Sequence, residues 1–386
     1  MLAFVGVTLG AHADKEEYHQ KETDDYITIN DVTVVPGSDD TYKARVSLVG
    51  TQIYTAFEMD LELPSGLEPE MNNDGTPKVV IWKGANTIYP YTEDEDSGDR
   101  DFAHTLVASY GVITPNTIRL ACASLSGKEL TAKEGTLLTI TLKTTPYLKP
   151  GDVQIKATNV HFITNEEIWV NGESQHGQQY NCKDQTLTVH VEGRSKATVA
   201  VGAKNQYSTC VLPFEVAELP EGLHAYSVTE RSSDFKYAYL QEAKSIKAFT
   251  PYILYAENGF SGVFEGPVDE SLYQEQVKEG ILYGTLVPCT LDDGFVLQNQ
   301  GEGVKLYAMQ GKEFLIPAGK CWVLPEIYNG EEVKSLDMRM DDATGVESVG
   351  QSKESGALYS LDGKRMRRPQ PGNIYIMRGK KVLMLK

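Results

Sequence analysis

Residues 127–167 read GKELTAKEGTLLTITLKTTPYLKPGDVQIKATNVHFITNEE. Within this stretch Leu138, Ile140 and Leu142 alternate with Thr139, Thr141 and Lys143. Side chains of an extended chain point to opposite faces in turn, so this spacing predicts a half-buried strand. Pro150-Gly151-Asp152 then marks a turn. The same grammar recurs on both sides. Phe57, Met59, Leu61 and Leu63 alternate with Glu58, Asp60 and Glu62, and Leu187, Val189 and Val191 alternate with Thr188, His190 and Glu192. Pro64-Ser65-Gly66 and Asn73-Asp74-Gly75 supply further turns. Helical periodicity is scarce, and Asp269 to Glu279 is the best helical candidate. Many short strands punctuated in this way predict an all-β chain built of antiparallel sandwiches.

The chain has 386 residues, enough for two or three domains. Its 54 acids against 36 Lys and Arg give a net charge of −18. That balance argues against nucleic-acid binding, which needs basic patches for phosphates. No run reaches the roughly 18 apolar residues of a membrane span. Leu2 to Gly10 is apolar, and Ala11-His12-Ala13 puts small residues at −3 and −1 of a cleavage site. Residues 1–13 are therefore expected to be part of a secretory signal peptide, with a short buried strand as the other reading. Polar residues 14–23 read as a linker. A first domain is expected over 24–192, a second β-rich domain over 197–341 beginning with a strand at Ala197–Val201, and a Gly/Ser-rich linker over 342–356. Residues 351–386 carry +7 while the rest of the chain carries −25. The closing segment, 357–386, reads as a basic hairpin with strands near Asn373–Met377 and Lys381–Leu385.

Gly135, Leu137, Ile140 and Lys143, the Pro150-Gly151 turn and the Asn159-Val160 step resemble the C-terminal half of a cohesin-like domain. Upstream, IYTAFEMDLELPSGLE resembles that family's early strand and turn. The resemblance covers roughly residues 24–192 and implies a jelly-roll-like sandwich in which the Pro150-Gly151 turn leads into a pair of strands carrying the Asn159-Val160 step. It also implies a non-catalytic module that binds a dockerin-like protein, or serves polysaccharide use, through an exposed sheet face. Residues 84–101, with TEDEDSGDRD, depart from the cohesin pattern. STCVLPFEVAELPEGLHAYSVTE and IKAFTPYILYAENG resemble regions of secreted Bacteroidetes proteins, which implies an extracellular or outer-surface location. LYSLDGKRM and PGNIYIMRGKKVLMLK resemble the ending of proteins sorted by the Por (type IX) system. The tail is thus a sorting or surface-attachment signal, or a closing hairpin whose clustered cations also protect an edge strand from aggregation.

The residues offer little catalytic chemistry. The acidic loop Glu93 to Asp99 fails calcium-loop spacing, because His104 falls where a bidentate Glu belongs. Glu58, Asp60 and Glu62 share a strand face, as the solvent side of an amphipathic strand does, so glycosidase chemistry is not expected of them. His104 and His161 sit among apolar residues and read as structural. No G-x-S-x-G elbow, Walker loop or G-x-G-x-x-G is present. Five scattered cysteines hold no C-x-x-C pair and read mostly as buried and idle. No metal, cofactor or enzymatic activity is expected; the alternatives are a polysaccharide-active enzyme with a site built across sandwich loops, and a structural surface or filament protein. Trp82, Tyr89, Tyr91 and Trp169 are the candidate ligand-binding residues, since flat rings can stack on sugars; core packing is the competing fate, above all for Trp322.

Overall fold

The computed structural model describes residues 18–81, 104–124, 127, 129–130, 134–232, 235–301, 303–309, 311, 313–324, 327–328, 331–340, 346–348, 358–359, 365–366, 374–377 and 380–383. The expected signal peptide, the acidic loop and the loop aromatics Trp82, Tyr89 and Tyr91 lie outside them. The chain divides into two compact units. Unit 1 runs to Ala197 and takes in Phe264–Tyr273; unit 2 comprises Thr198–Val263 and the chain from Gln274.

Among the described residues, the two main sheets and the small ribbon of unit 1 use, in chain order, β1 Lys21–Glu22, β2 Tyr26–Ile29, β3 Thr33–Val34, β4 Tyr42–Val49, β5 Ala56–Glu62, β6 Leu67–Pro69, β7 Val79–Ile81, β8 Thr105–Tyr110, β9 Thr117–Ala123, β10 Glu134–Thr144, β11 Gly151–Ile163, β12 Glu167–Val170, β13 Glu173–His176, β14 Gln179–Asn181 and β15 Gln185–Val191. The larger sheet runs β1-β14-β11-β5-β9-β8, with β15 and β3 beyond β11; the smaller runs β2-β4-β10-β6, with β7 also on β10. Ala44, Val46, Leu48, Leu138, Ile140 and Leu142 from the smaller sheet pack with Phe57, Met59, Leu61, Ile118, Leu120 and Phe162 from the larger in one core. This is the sandwich that the period-two pattern predicts.

The quoted stretch supplies the spine of both sheets. β10 sits between β4 on one edge and β6 and β7 on the other, so even its outward Thr139 and Thr141 are buried. Lys43 Nζ donates to Thr141 Oγ1 at 3.1 Å. Around Asn159-Val160 the resemblance implies a pair of strands, but the structure shows one strand of 13 residues. Asn159 takes φ +53° and the pairing with β5 shifts between Thr158 and His161. A bulge of this kind keeps the ladder continuous while re-aiming the side chains on either side. β11 can therefore pair with β15 along its first half and β14 along its last turn of pleat. Gly66 turns at φ +92°, where a Cβ would lie 2.7 Å from Leu148 Cα, so that turn admits only glycine.

In unit 2 a ten-stranded sheet runs Tyr207–Cys210, Tyr252–Tyr255, His224–Arg231, Tyr237–Ala243, Ser335–Met340, Val304–Ala308, Phe295–Asn299, Lys320–Val323, Leu282–Thr285 and Gln276–Glu279. Its two ends fold back: Val211 N–H donates to the Gly319 carbonyl at 3.1 Å and Ile281 N–H to that of Val228 at 3.0 Å. Trp322 is buried with Val296, Met309 and Ile316, as its apolar neighbours in sequence suggest. The helix expected over Asp269–Glu279 does not form. Asp269 caps one 3-10 turn, Glu270–Leu272, through Ser271 N–H, and the chain then becomes extended at Tyr273. Gln276–Glu279 pairs with Leu282–Thr285 instead, because a partner strand satisfies the backbone of a segment with only Val277 to bury. Ile374–Met377 and Lys380–Leu383 form the expected closing hairpin. It is part of a five-stranded sheet that also takes in Val346–Ser348, from the stretch read as a linker. All five cysteines are free thiols, and burial pushes the Cys210 thiol up to about 12.

Candidate binding face of the larger sheet

The outward side chains of β8, β9, β5, β11 and β14 form one polar face. Strand register sets their order. Val107, Ala121, Glu58, His161 and Asn181 follow one another across the strands, and Ser109, Arg119, Asp60 and Thr158 form the next row. Cross-strand neighbours stand about 5 Å apart, so opposite charges placed in register meet.

Arg119, on the strand next to the β8 edge, is the hub of the charged contacts on this face. Its Nε donates to Asp60 Oδ1 at 2.8 Å and its Nη2 to Asp60 Oδ2 at 2.7 Å, a bidentate fork. Its Nε also lies 3.9 Å from Glu58 Oε1. The hydrogen bond to Asp60 raises the guanidinium pKa further, against the opposing effect of burial. Asn159 Nδ2, aimed by the bulge, donates to Asp60 Oδ2 at 3.4 Å. His161 Nε2 stands 3.5 Å from Glu58 Oε2, and Lys156 Nζ donates to Glu62 Oε1 at 3.0 Å.

The acids of β5 are thus not a uniform solvent row. Glu62 is exposed, Glu58 is half-buried and Asp60 is only 7% exposed. Arg119 and Asn159 satisfy Asp60, which is why a charge can stay there. The result is a preset lattice of donors and acceptors. At the β8 edge the face becomes apolar: Val107 is 65% exposed, Val112 is 76% exposed in the turn that follows, and Ile113 is exposed beside it. Among the described residues, no group of three His, Cys, Asp or Glu side chains could hold a metal ion. His104 is buried and has an interaction partner.

A second feature is a groove of about 790 Å³ between β2 and β15, lined by Asp24, Asp31, Gln185, Thr188 and His190 among others. His190 Nδ1 sits 2.6 Å from Asp152 Oδ1, and that hydrogen bond raises the imidazole pKa. Trp169 stands elsewhere, half-buried on the separate β12–β13 ribbon opposite Ser174. Its carbonyl accepts from Tyr18 N–H at 2.8 Å.

Sequence reasoning passed over Arg119. Its signal is a lone cation between Ile118 and Leu120 in an otherwise uncharged strand, opposite a strand with three acids. The pairing register that gives it this role is long-range: the partners lie 59 positions apart in sequence.

No protein-family model matches the sequence, and no curated protein matches it either. Among solved structures, the chain is similar to a non-cellulosomal cohesin from the archaeon Archaeoglobus fulgidus, at 11% identity and a TM-score of 0.26, over 43% of this chain and 91% of that one. It is similar to a type I cohesin from Pseudobacteroides cellulosolvens at 10% identity and a TM-score of 0.29, over 44% and 93%. A chain of a type I cohesin–dockerin complex from Clostridium thermocellum is 17% identical with a TM-score of 0.27, over 44% and 100%.

Proposed function

We propose that unit 1 is a non-catalytic protein-recognition module whose contact surface is the β8-β9-β5-β11-β14 face. The observation that carries this is the Arg119–Asp60 fork, fixed by two hydrogen bonds on a broad sheet face with exposed Val107 and Val112 toward its β8 edge. Arginine is among the usual anchors of protein interfaces, and a preset network loses little entropy on binding. A face of five strands can supply the ~800 Å² per partner of a standard interface. Both acids beside Arg119 are already engaged, which suits recognition better than proton transfer. The identity of the partner as a dockerin-like module, and a place outside the cell, are inferred from the cohesin-like residues of 24–192. The basic tail would serve as the attachment or sorting element.

The test immobilises the full chain and passes over it the secreted and surface proteins of its source. Val107→Glu and Arg119→Ala forms run in parallel. A specific partner held by the wild type should bind about 30-fold more weakly to Arg119→Ala, the effect of losing an anchor of ~2 kcal/mol. Val107→Glu, on an exposed position, checks that the loss is not unfolding. Equal retention on all three forms would exclude this face. Turnover of a polysaccharide by the pure protein, abolished at Glu58 or Asp60, would make it an enzyme instead.

A further inference from the structure

Unit 2 carries a side-chain cluster that the face of unit 1 does not involve. On three neighbouring strands Tyr207 is in register with Tyr255, and Tyr255 with His224. Their ring centroids are 4.9 and 6.1 Å apart. Two residues along its strand from His224, Tyr226 lies nearly parallel to the imidazole, at 6.4 Å and 16°. Glu242, paired with Tyr226 across the next strand, holds His224 Nδ1 at 2.8 Å. Burial first, then Glu242, Tyr207 and Tyr255, push the Tyr226 phenol up to about 12. These side chains therefore lie together on one face of the sheet.

Cross-strand tyrosine pairs are ordinary packing, and two further facts set this group apart. Around the buried Tyr226 it opens to solvent: Tyr207 and Tyr255 are half-buried, and the side chains of His224 and Glu242 are 44% and 60% exposed. Among the described residues, none of the three phenols has a hydrogen-bond partner. Partly exposed aromatic faces with unsatisfied hydroxyls and a carboxylate acceptor suit a ligand that is apolar on its flat sides and rich in hydroxyls at its rim. A polyanion is disfavoured by Glu242 and by the net charge of −18.

We propose that Tyr207, Tyr255, His224 and Glu242 form a carbohydrate-binding subsite for a neutral sugar ring. The C–H face of the ring stacks on the tyrosines, and its hydroxyls bond to the phenols and to Glu242. This goes beyond the protein-recognition face and is independent of it.

The experiment titrates the full chain with cellohexaose, xylohexaose and mannohexaose by calorimetry, with tetramethylammonium as the cationic control. At least one hexasaccharide should bind saturably. Tyr255→Ala should weaken it by about tenfold, as expected for one lost aromatic contact and its hydrogen bond. Tyr255→Phe and Glu242→Gln keep the packing and should each weaken it by a few-fold. They carry the test if the alanine form does not fold. Arg119→Ala should bind sugar as the wild type does, which separates this site from the face of unit 1. The proposal is overturned if none of the three hexasaccharides binds. It is equally overturned if the Phe and Gln forms bind like the wild type, or if tetramethylammonium is the ligand that saturates.

Discussion

Phe162→Ala is expected to lower the stability of unit 1 by about 4 kcal/mol, near the upper range for emptying a core aromatic site. Phe162 is fully buried on β11, in the strand on which both halves of the larger sheet pivot. Its ring stacks on Tyr54 at 4.8 Å and tilts against Phe57 at 6.2 Å. Two neighbouring aromatics cannot collapse into the space of a third, so the cavity persists and its walls lose dispersion contacts. Phe162→Leu fills most of the volume and should cost roughly 1 kcal/mol. Urea unfolding followed by circular dichroism measures both. A loss of under about 1 kcal/mol for the alanine form would mean that Phe162 does not sit in a close-packed core.

Asp25→Asn is the second large effect, with an expected loss of about 3 kcal/mol at pH 7. Asp25 is buried and accepts three hydrogen bonds: from Tyr54 Oη at 2.5 Å, and from the backbone N–H and the hydroxyl of Thr51, each at 3.0 Å. These tie the start of β2 to the β4–β5 connection. Burial alone would raise the carboxyl pKa; the bonds from Tyr54 and Thr51 outweigh it and hold it below the ordinary 3.8. A depressed folded-state pKa contributes stability that is present above 3.8 and is lost as pH falls through the folded value. The wild type should therefore lose its advantage over Asp25→Asn on acidification below about pH 4. An amide offers those donors one oxygen and leaves the deeply buried Tyr54 hydroxyl poorly partnered. A gap between the two proteins that stays constant from pH 7 to pH 2 would show that the charge is not what stabilises the junction.

Both positions show where sequence stops informing. Alternation made β5, β10 and β15 legible, because period two is a local property and one apolar face must be buried. The glycine turns were legible for a similar reason: only glycine adopts φ near +90° cheaply at Gly66. The closing hairpin was legible too, from two strand-like runs with a turn between them.

Other features depended on partners far along the chain. Thr139 and Thr141 look solvent-facing, yet strands on both edges of β10 cover them. Residues 276–279 are ambiguous alone and become a strand because Leu282–Thr285 offers its edge. The acids of β5 look equivalent, and only Arg119 across the ladder makes Asp60 different from Glu62.

The amino-acid order by itself thus determined that this chain is all-β, where its clearest strands and turns fall, and that its charge is concentrated in an acidic body and a basic tail. Tertiary structure alone decided which polar side chains came together: Asp25 with Tyr54, Asp60 with Arg119, and His224 with Glu242 beside three tyrosines. Alternation is set by neighbours one and two residues away. A buried or shared polar group is set by which strand lies beside which, and in what register, and that is fixed by the packing of the whole sheet.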